Sequence, residues 1–386
     1  MKTLRGIITW VCIQFLIFHG LFAQEPLKTT ARGQFNAWSV VNYEHNLKIQ
    51  PGARFIPELT LEKPFEQLQM DAEVSFNTTG HLNYDDWKYT GSYESFKPYR
   101  LWTRISSNRY EVRAGLQKIN FGSATLLRPL MWFDRIDPRD PLQITDGVYG
   151  ILGRYYFLNN ANIWLWSLYG NDQTKGWEIM PSAKNTPEWG GRFQFPVPKG
   201  ETALSFHSRT ADLNSLYPDS LLNNKTHFIQ NKYGLDGKWD VGVGLWFEYV
   251  LTENRLDSRP RPFHYQHALN LGLDYTFNLG NGLHIASEFF YLNLTDRFFK
   301  PGTQAEISAL SIDYPLGLMD RISGMIYYSW KDKHWYRFIS LKRTYDYWSF
   351  FLMGFWNPTR FALYNINEEQ NLFAGKGLQI MAVYNF

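Results

Sequence analysis

A single cysteine, Cys12, is all the thiol chemistry in 386 residues, and it lies within the first apolar run. The rest of the chain therefore has neither a disulfide scaffold nor a thiolate metal site. Charge of one sign is also missing: 39 Lys and Arg stand against 36 Asp and Glu, for a formal net charge of +3. That balance supplies no basic surface for nucleic acid. Beyond Gln24 there is no run of 18 apolar residues, so no membrane-spanning helix is expected. G-x-S-x-G, H-E-x-x-H and the phosphate-binding loop are absent too. His264 and His267 of "HYQH" would fall on opposite faces of a strand and share no metal. No enzymatic activity, metal or other cofactor is expected.

What the chain has in quantity is aromatic side chains, at 18%, within a hydrophobic content of 44%. Its mean hydropathy is nonetheless negative, so apolar residues are interspersed with polar ones. The one bunched run is at the start. Lys2 and Arg5 flank and precede "GIITWVCIQFLIFHGLF", and Ala23 offers a cleavage position, so residues 1–23 are expected to be a secretory signal peptide. Its removal takes the net charge from +3 to +1 and leaves 24–386 as the mature chain.

That mature chain alternates. In "ALNLGLDYTFNLG", Leu269, Leu271, Leu273, Tyr275, Phe277 and Leu279 share one parity, and Asn270, Gly272, Asp274, Thr276 and Asn278 the other. "QMDAEVSFN" sets Met70, Ala72, Val74 and Phe76 against Asp71, Glu73, Ser75 and Asn77. A helix needs apolar residues three and four apart; a strand needs them two apart. The expected fold is all-β: a transmembrane antiparallel β-barrel of about 18 strands, at about 20 residues of chain each, with no plug domain, since only Gln24 to Arg32 precede the first segment. The segments are expected to begin near Gly33, Gly52, Glu66, Pro98, Arg109, Gly147, Ala161, Glu188 and Gly200. The other nine begin near Thr226, Val241, His264, Gly282, Gln304, Asp320, Lys333, Tyr345 and Ala374.

The links give an independent test. Those after even-numbered segments are short, such as "KPF", Asn108, Asn159–Asn160 and "VPK". Long ones follow odd-numbered segments, including Thr79–Lys97 and 119–146, although the links after the first and fifteenth are brief. Short periplasmic turns and longer outer loops produce this parity. An even strand number puts both termini in the periplasm and requires the last strand to pair with the first. The chain ends in "GLQIMAVYNF", with Leu378, Ile380, Ala382, Tyr384 and Phe386 on one parity. This resembles the C-terminal signal by which outer-membrane barrels are recognised, and Phe386 is expected in the periplasmic aromatic girdle.

With the apolar parity facing lipid, the inward residues form two groups. Arg100, Arg104, Arg113, Arg154 and Arg192 make a basic wall; Asp236, Glu248, Asp274, Glu288 and Asp313 make an acidic wall, with Lys232 as an exception. The two would stand about half a turn apart and set a transverse field across a pore; local pairing, with Glu58, Glu62, Asp71 and Glu73 beside the basic wall, is the competing arrangement. The third outer link, 119–146, carries Leu126, Leu127, Leu130, Met131, Trp132 and Phe133, which should not stand in water. It is expected to fold inward and narrow the lumen, with Arg128, Asp134, Arg135, Asp137, Arg139 and Asp140 at the constriction; the alternative is an outer lid. Trp38, Trp102, Trp246, Phe290 and Tyr327 also fall inward, as sugar-stacking platforms or as space filling. The seventh, sixteenth and seventeenth segments are apolar on both faces, so their facing is open.

In architecture and link parity the chain resembles the porin-type barrels of the Bacteroidota outer membrane. "RAGLQKINFG", Arg113 to Gly122, is similar to the R-x-G-R-Q-x-x-x-x-G stretch of eighteen-strand alginate-export-type barrels: Arg113, Gly115, Gln117 and Gly122 match, and Leu116 stands where that pattern has arginine. The resemblance implies a passive channel for anionic or sugar-like solutes. The expected protein is thus a porin in the outer membrane of a Gram-negative bacterium. Its partners would be outer-membrane lipid and small polar solutes or oligosaccharide, with no nucleic acid. The rival readings are a non-conducting surface barrel that binds or anchors polysaccharide, and an assembly or secretion partner.

Overall fold

The computed structural model describes residues 26–43, 46–214, 226–255, 263–298, 300–358 and 373–386. The signal-peptide assignment to residues 1–23 lies outside the described residues, as do parts of the links after the ninth and seventeenth segments.

Alternation becomes strand throughout. The first nine are β1 Lys28–Tyr43, β2 Leu47–Pro64, β3 Gln69–Asp85, β4 Lys88–Ser106, β5 Tyr110–Gln117, β6 Val148–Tyr156, β7 Asn162–Leu168, β8 Glu188–Val197 and β9 Gly200–Asp212. The second nine are β10 His227–Asp240, β11 Gly244–Arg255, β12 Tyr265–Phe277, β13 Leu283–Thr295, β14 Thr303–Pro315, β15 Asp320–Ser329, β16 His334–Thr344, β17 Trp348–Trp356 and β18 Lys376–Asn385. Each pairs antiparallel with its chain neighbours, and β1 pairs with β18, so eighteen strands close into one barrel. Closure matters because an unpaired backbone group in hydrocarbon costs several kcal/mol; a ring has no edge to leave unpaired.

The period of two sets the facing. On β12, Leu271, Leu273 and Tyr275 are exposed on the outside, while Gln266, Ala268 and Asn270 are buried inside. On β18, Leu378 and Ile380 face out and Gln379, Met381 and Val383 face in. The seam is closed from Gln34↔Asn385 to Tyr43↔Lys376. Below it, the Gly33 N–H donates to the Phe386 carbonyl at 2.9 Å and the Phe386 N–H donates back at 3.1 Å. The Phe386 ring stacks on Phe55 and Tyr384, both at 6.0 Å between centroids.

The three strands of open facing resolve. Trp164, Trp166 and Leu168 of β7, Tyr336 and Phe338 of β16, and Phe351, Met353 and Phe355 of β17 fall on the inner face; all but Trp164 are buried. One expected link is not a link. Thr79–Lys97, expected as a long outer loop, is instead mostly strand: β3 continues to Asp85 and β4 begins at Lys88, joined by Asp86 and Trp87. Both turn residues adopt positive φ, 45° and 67°, the backbone of a tight hairpin turn. Gly80, Asn83 and Gly91 look like loop residues, yet Thr78, Tyr84, Tyr89, Tyr93 and Phe96 supply enough β-formers for a projecting ribbon.

Candidate functional site: the lumen and the segments that enter it

Two outer links fill the interior. The first, residues 118–147 between β5 and β6, carries the apolar run that water would exclude. Its Leu126, Leu127, Leu130, Trp132 and Phe133 are all buried, in a cluster with inner-face residues of β6, β7, β11 and β13–β17. Phe121 sits edge-on to Trp132 at 5.5 Å and to Trp164 at 6.2 Å, and stacked on Trp166 at 5.8 Å. Farther along, Leu142 packs against the Phe351, Met381 and Val383 cluster, and the Arg139 guanidinium lies 5.6 Å from the Phe338 ring. The segment thus touches the wall around most of its circumference.

Two carboxylates on the far wall hold its backbone. Glu288 of β13 accepts N–H bonds from Thr125 (2.7 Å), Leu126 (3.1 Å) and Leu127 (2.7 Å), and the Thr125 hydroxyl donates to it at 3.1 Å. Asn270 of β12 donates both to Glu288 (2.9 Å) and to the Leu127 carbonyl (2.7 Å). Glu248 of β11 accepts from Ala124 (2.8 Å) and Leu130 (3.1 Å). Gly122, at φ 95°, lets the chain approach: a Cβ there would lie 2.3 Å from Glu248 Oε1. A chain without regular structure leaves its amides bare, and buried anions are what satisfies them.

The second entrant, residues 169–187 between β7 and β8, is one of the long links expected on the outer side; its entry into the lumen is not among the expectations from sequence. Trp177 stacks on Phe290 at 4.7 Å, and its Nε1–H donates to the Arg128 carbonyl at 2.7 Å, joining the two segments. Glu178 lies between Lys232 Nζ (2.6 Å) and Arg209 (3.2 Å). Burial would raise the Glu178 carboxyl, but Arg209, Lys232 and Lys175 outweigh it and hold it at about 2. Lys175 in turn pairs with Glu188 of β8 at 3.0 Å. Lys232, the exception in the acidic run, is explained: it is the counter-ion of an entering glutamate. A lone Glu in the otherwise apolar "GWEIM" was the available signal.

The basic residues differ in what they meet. Arg100 is buried and donates to the Thr145 carbonyl at 3.1 Å. Arg104 pairs with Asp71 at 2.7 Å and lies 3.8 Å from Glu111; Arg154 pairs with Glu111 at 2.8 Å and stacks over Trp164 at 3.7 Å. Arg113 lies 4.5 Å over Trp102, and among the described residues no ion pair reaches it. Arg192 makes a two-point pair with Asp236, at 2.6 and 2.8 Å, so one member of each wall neutralises the other. Of the acidic set, Glu248 and Glu288 are taken up by backbone amides. Asp274 lies 3.8 Å from His284, and Asp313 lies 3.5 Å from Arg321 and accepts from Ser323 at 2.6 Å. Arg54 of β2 is a further inward cation, 5.6 Å from the Trp38 ring, beyond the basic wall assigned from sequence.

Within 118–147 the charges pair locally. Arg128 meets Asp134 at 3.3 Å and Arg139 meets Asp137 at 2.6 Å. Burial pushes the Asp134 carboxyl above its ordinary range, with Arg128 opposing. Asp140 accepts the Leu142 N–H at 3.0 Å, and Arg135 is exposed. The inward aromatics Trp246, Phe290 and Tyr327 are buried in packing contacts. In "RAGLQKINFG", Arg113, Gly115 and Gln117 share one parity, whereas Leu116 falls on the other, paired with Leu101, and both leucines are buried. Among the described residues no three His, Cys, Asp or Glu side chains are grouped as around a metal ion.

No protein-family model matches the sequence, and no curated protein matches it. Solved structures match by fold. OccK5 (OpdH) of Pseudomonas aeruginosa aligns with a TM-score of 0.58 at 10% identity, over 93% of this chain and 98% of that one. OccK7 (OpdD) of the same organism aligns with a TM-score of 0.54 at 10% identity, over 93% and 99%. OccAB4 of Acinetobacter baumannii aligns with a TM-score of 0.53 at 8% identity, over 93% and 98%. At such identities the likeness establishes the fold: the closed antiparallel barrel of outer-membrane porins.

Proposed function

We propose that this chain lies in the outer membrane of a Gram-negative bacterium and passes small polar solutes by passive diffusion, with a preference for anionic or sugar-like ones. The observation that carries the reading is the polar inner wall of β2–β6. There Arg104, Arg113 and Arg154 remain partly accessible beside Trp102 and Trp164, although Phe121 of the inserted segment meets the edge of Trp164. Guanidinium groups over indole faces attract anions and present flat apolar surfaces to sugar rings. The segment 118–147 narrows the passage, as its contacts with β11, β13 and β16–β18 suggest. The resemblance of Arg113 to Gly122 to alginate-export-type barrels agrees with an acidic or sugar-like solute.

A second reading is favoured by a specific observation. The apolar side chains of 118–147 meet buried inner-face residues of many strands, which suits a barrel that carries no current and instead displays or anchors polysaccharide. Single-channel recording of the refolded mature protein, intact and lacking residues 123–145, separates the two. Stepwise conductance in the intact protein that grows on deletion supports the channel. Silence in the intact protein with current only after deletion supports the closed barrel.

A further inference from the structure

The lipid side of β16, β17, β18 and β1 is bounded by two rows of side chains. Toward the periplasm, Trp348, Tyr384 and Phe35 stand in register on β17, β18 and β1. At the outer end the register runs Arg337, Trp356, Lys376 and Tyr43, from β16 to β1. All four are on the outward parity, since Phe338, Phe355, Gln379 and Asn42 are the buried inner-face residues of these strands. On β17 the rows are eight residues apart, Trp348 to Trp356, which is about 26 Å of strand at roughly 3.3 Å each. At a tilt near 40° that is about 20 Å of depth, against an apolar band about 25 Å tall. The upper row therefore stands at the outer border, with Phe350, Leu352, Leu378 and Ile380 in the hydrocarbon below it. Aromatic side chains belong at such a border; the two cations need a further reason.

Arg337 and Lys376 have no counter-ion on the protein. The Arg337 guanidinium lies 5.8 Å from the Trp335 ring, two residues nearer the outside, so it reaches up out of the hydrocarbon. Lys376 is exposed. Among the described residues no carboxylate is within ion-pair distance of either. Other outward cations do have one: Arg255 meets Glu253 at 3.1 Å and Arg343 meets Asp320 at 3.8 Å. The turn 330–333 adds exposed Lys331 and Lys333, and its one carboxylate, Asp332, accepts from the Ser329 hydroxyl at 3.0 Å. Directly below the row, Ile339, Gly354 and Leu378 are in register. Ile339 and Leu378 are exposed, and the glycine between them leaves a notch that leads down from Trp356 into the apolar band.

We propose that this row binds a phosphorylated lipid of the outer leaflet, with the headgroup phosphate between Arg337 and Lys376 and an acyl chain in the notch over Gly354. The setting fixes the occupant: a face on the lipid parity meets lipid, and the outer border of the apolar band is where headgroups lie. Neighbouring strands are about 4.8 Å apart, so the backbones of Arg337 and Lys376 stand about 10 Å apart across Trp356 and both side chains bear on one headgroup. A guanidinium takes two phosphate oxygens at once, and an ammonium supplies a compact second charge. The Trp356 and Tyr43 rings offer flat apolar faces and polar tips at headgroup level. A second copy of this chain fits the row poorly, because a two-fold contact centred there sets like charges against each other.

The test is native mass spectrometry of the mature barrel released from detergent, titrated with bisphosphorylated lipid A and, separately, with phosphatidylcholine, whose phosphate is balanced by its own ammonium. The unaltered protein should bind lipid A about tenfold more tightly or better. Arg337→Gln and Lys376→Gln should each weaken lipid A binding about fivefold, and together about thirtyfold. Arg343→Gln, at the periplasmic end and paired with Asp320, should change it by less than about twofold. Excess inorganic phosphate should not displace the lipid, because it has no chain for the notch. Heat-modifiable migration on gels checks that each variant is folded. Four outcomes overturn the proposal: phosphatidylcholine binding as tightly as lipid A; a folded double variant that binds like the original; equal losses from Arg343→Gln and Arg337→Gln; or displacement by inorganic phosphate alone. The two-lipid comparison uses unaltered protein and decides even where a substitution fails to fold.

Discussion

Glu288→Ala removes the acceptor of five hydrogen bonds: three backbone N–H groups of 125–127, the Thr125 hydroxyl and the Asn270 amide. The strand itself should tolerate the change, since Ala286 and Ala309 already occupy the inner face beside it. What suffers is the segment. Each buried donor left without an acceptor costs roughly 1–3 kcal/mol, but the chain at 124–130 escapes that penalty by leaving the wall for water. The loss is then set by the docking free energy, about 3–5 kcal/mol by comparison with buried charge partners removed elsewhere. At 1.4 kcal/mol per decade this shifts docking by about two to three and a half powers of ten. Hydrogen exchange of the amides of Thr125, Leu126 and Leu127 should accelerate by that factor while the strand amides stay protected. Glu288→Gln should fall between, keeping one acceptor oxygen. Acceleration below about tenfold in a still-folded barrel would refute the latch.

Other outcomes follow from the same geometry. Arg104→Ser with Arg113→Ser should move ion selectivity toward cations, measured as reversal potential under a salt gradient in a planar bilayer; an unchanged potential counts against the basic wall. Glu178 has its folded pKa depressed from 4.5 to about 2, so its contribution to docking of 169–187 is complete above pH about 4.5 and is lost as pH falls toward 2. Pepsin cleavage within 169–187, normalised to a reference peptide, should rise over that window, and Glu178→Gln should be cut throughout it; a flat profile argues against the ion cluster. At the seam, a Cβ on Gly33 would meet the Phe386 ring at 2.3 Å. Gly33→Val should therefore lower the yield of heat-modifiable folded barrel on gels, and Phe386→Ala in the same background should restore part of it.

Facing was legible in the sequence because a period of two is unambiguous when one side meets lipid and the other meets polar groups. β12 and β18 are of that kind, and Asn270, Glu248 and Glu288 were all assigned inward on it. The signal vanishes at β7, β16 and β17, and the reason is physical: their inner faces meet Phe121, Arg139 and Leu142 of the entering segment rather than water, so both parities are apolar. Pairings were less legible. Arg192 reaches Asp236 over the intervening β9, a contact fixed by side-chain length rather than by sequence spacing. The entry of 169–187 was hidden because its partners, Arg209 and Lys232, lie on strands that follow it. The β3–β4 ribbon has the composition of a loop, because glycine and asparagine serve in both.

The far-flung contacts of residues 118–147 also order events in time. Their partners lie on β4 and β7 but equally on β16, β17 and β18, which are synthesised last. No nascent or half-assembled sheet offers that whole set, so a hollow ring must form before its filling can settle. Until the two ends of the chain have met, Leu126, Leu127, Trp132 and Phe133 are without their pocket, and the growing barrel carries its greasiest stretch bare. Entropy of loop closure makes such distant matching slow, and the interval is when the periplasmic chain is most exposed to aggregation.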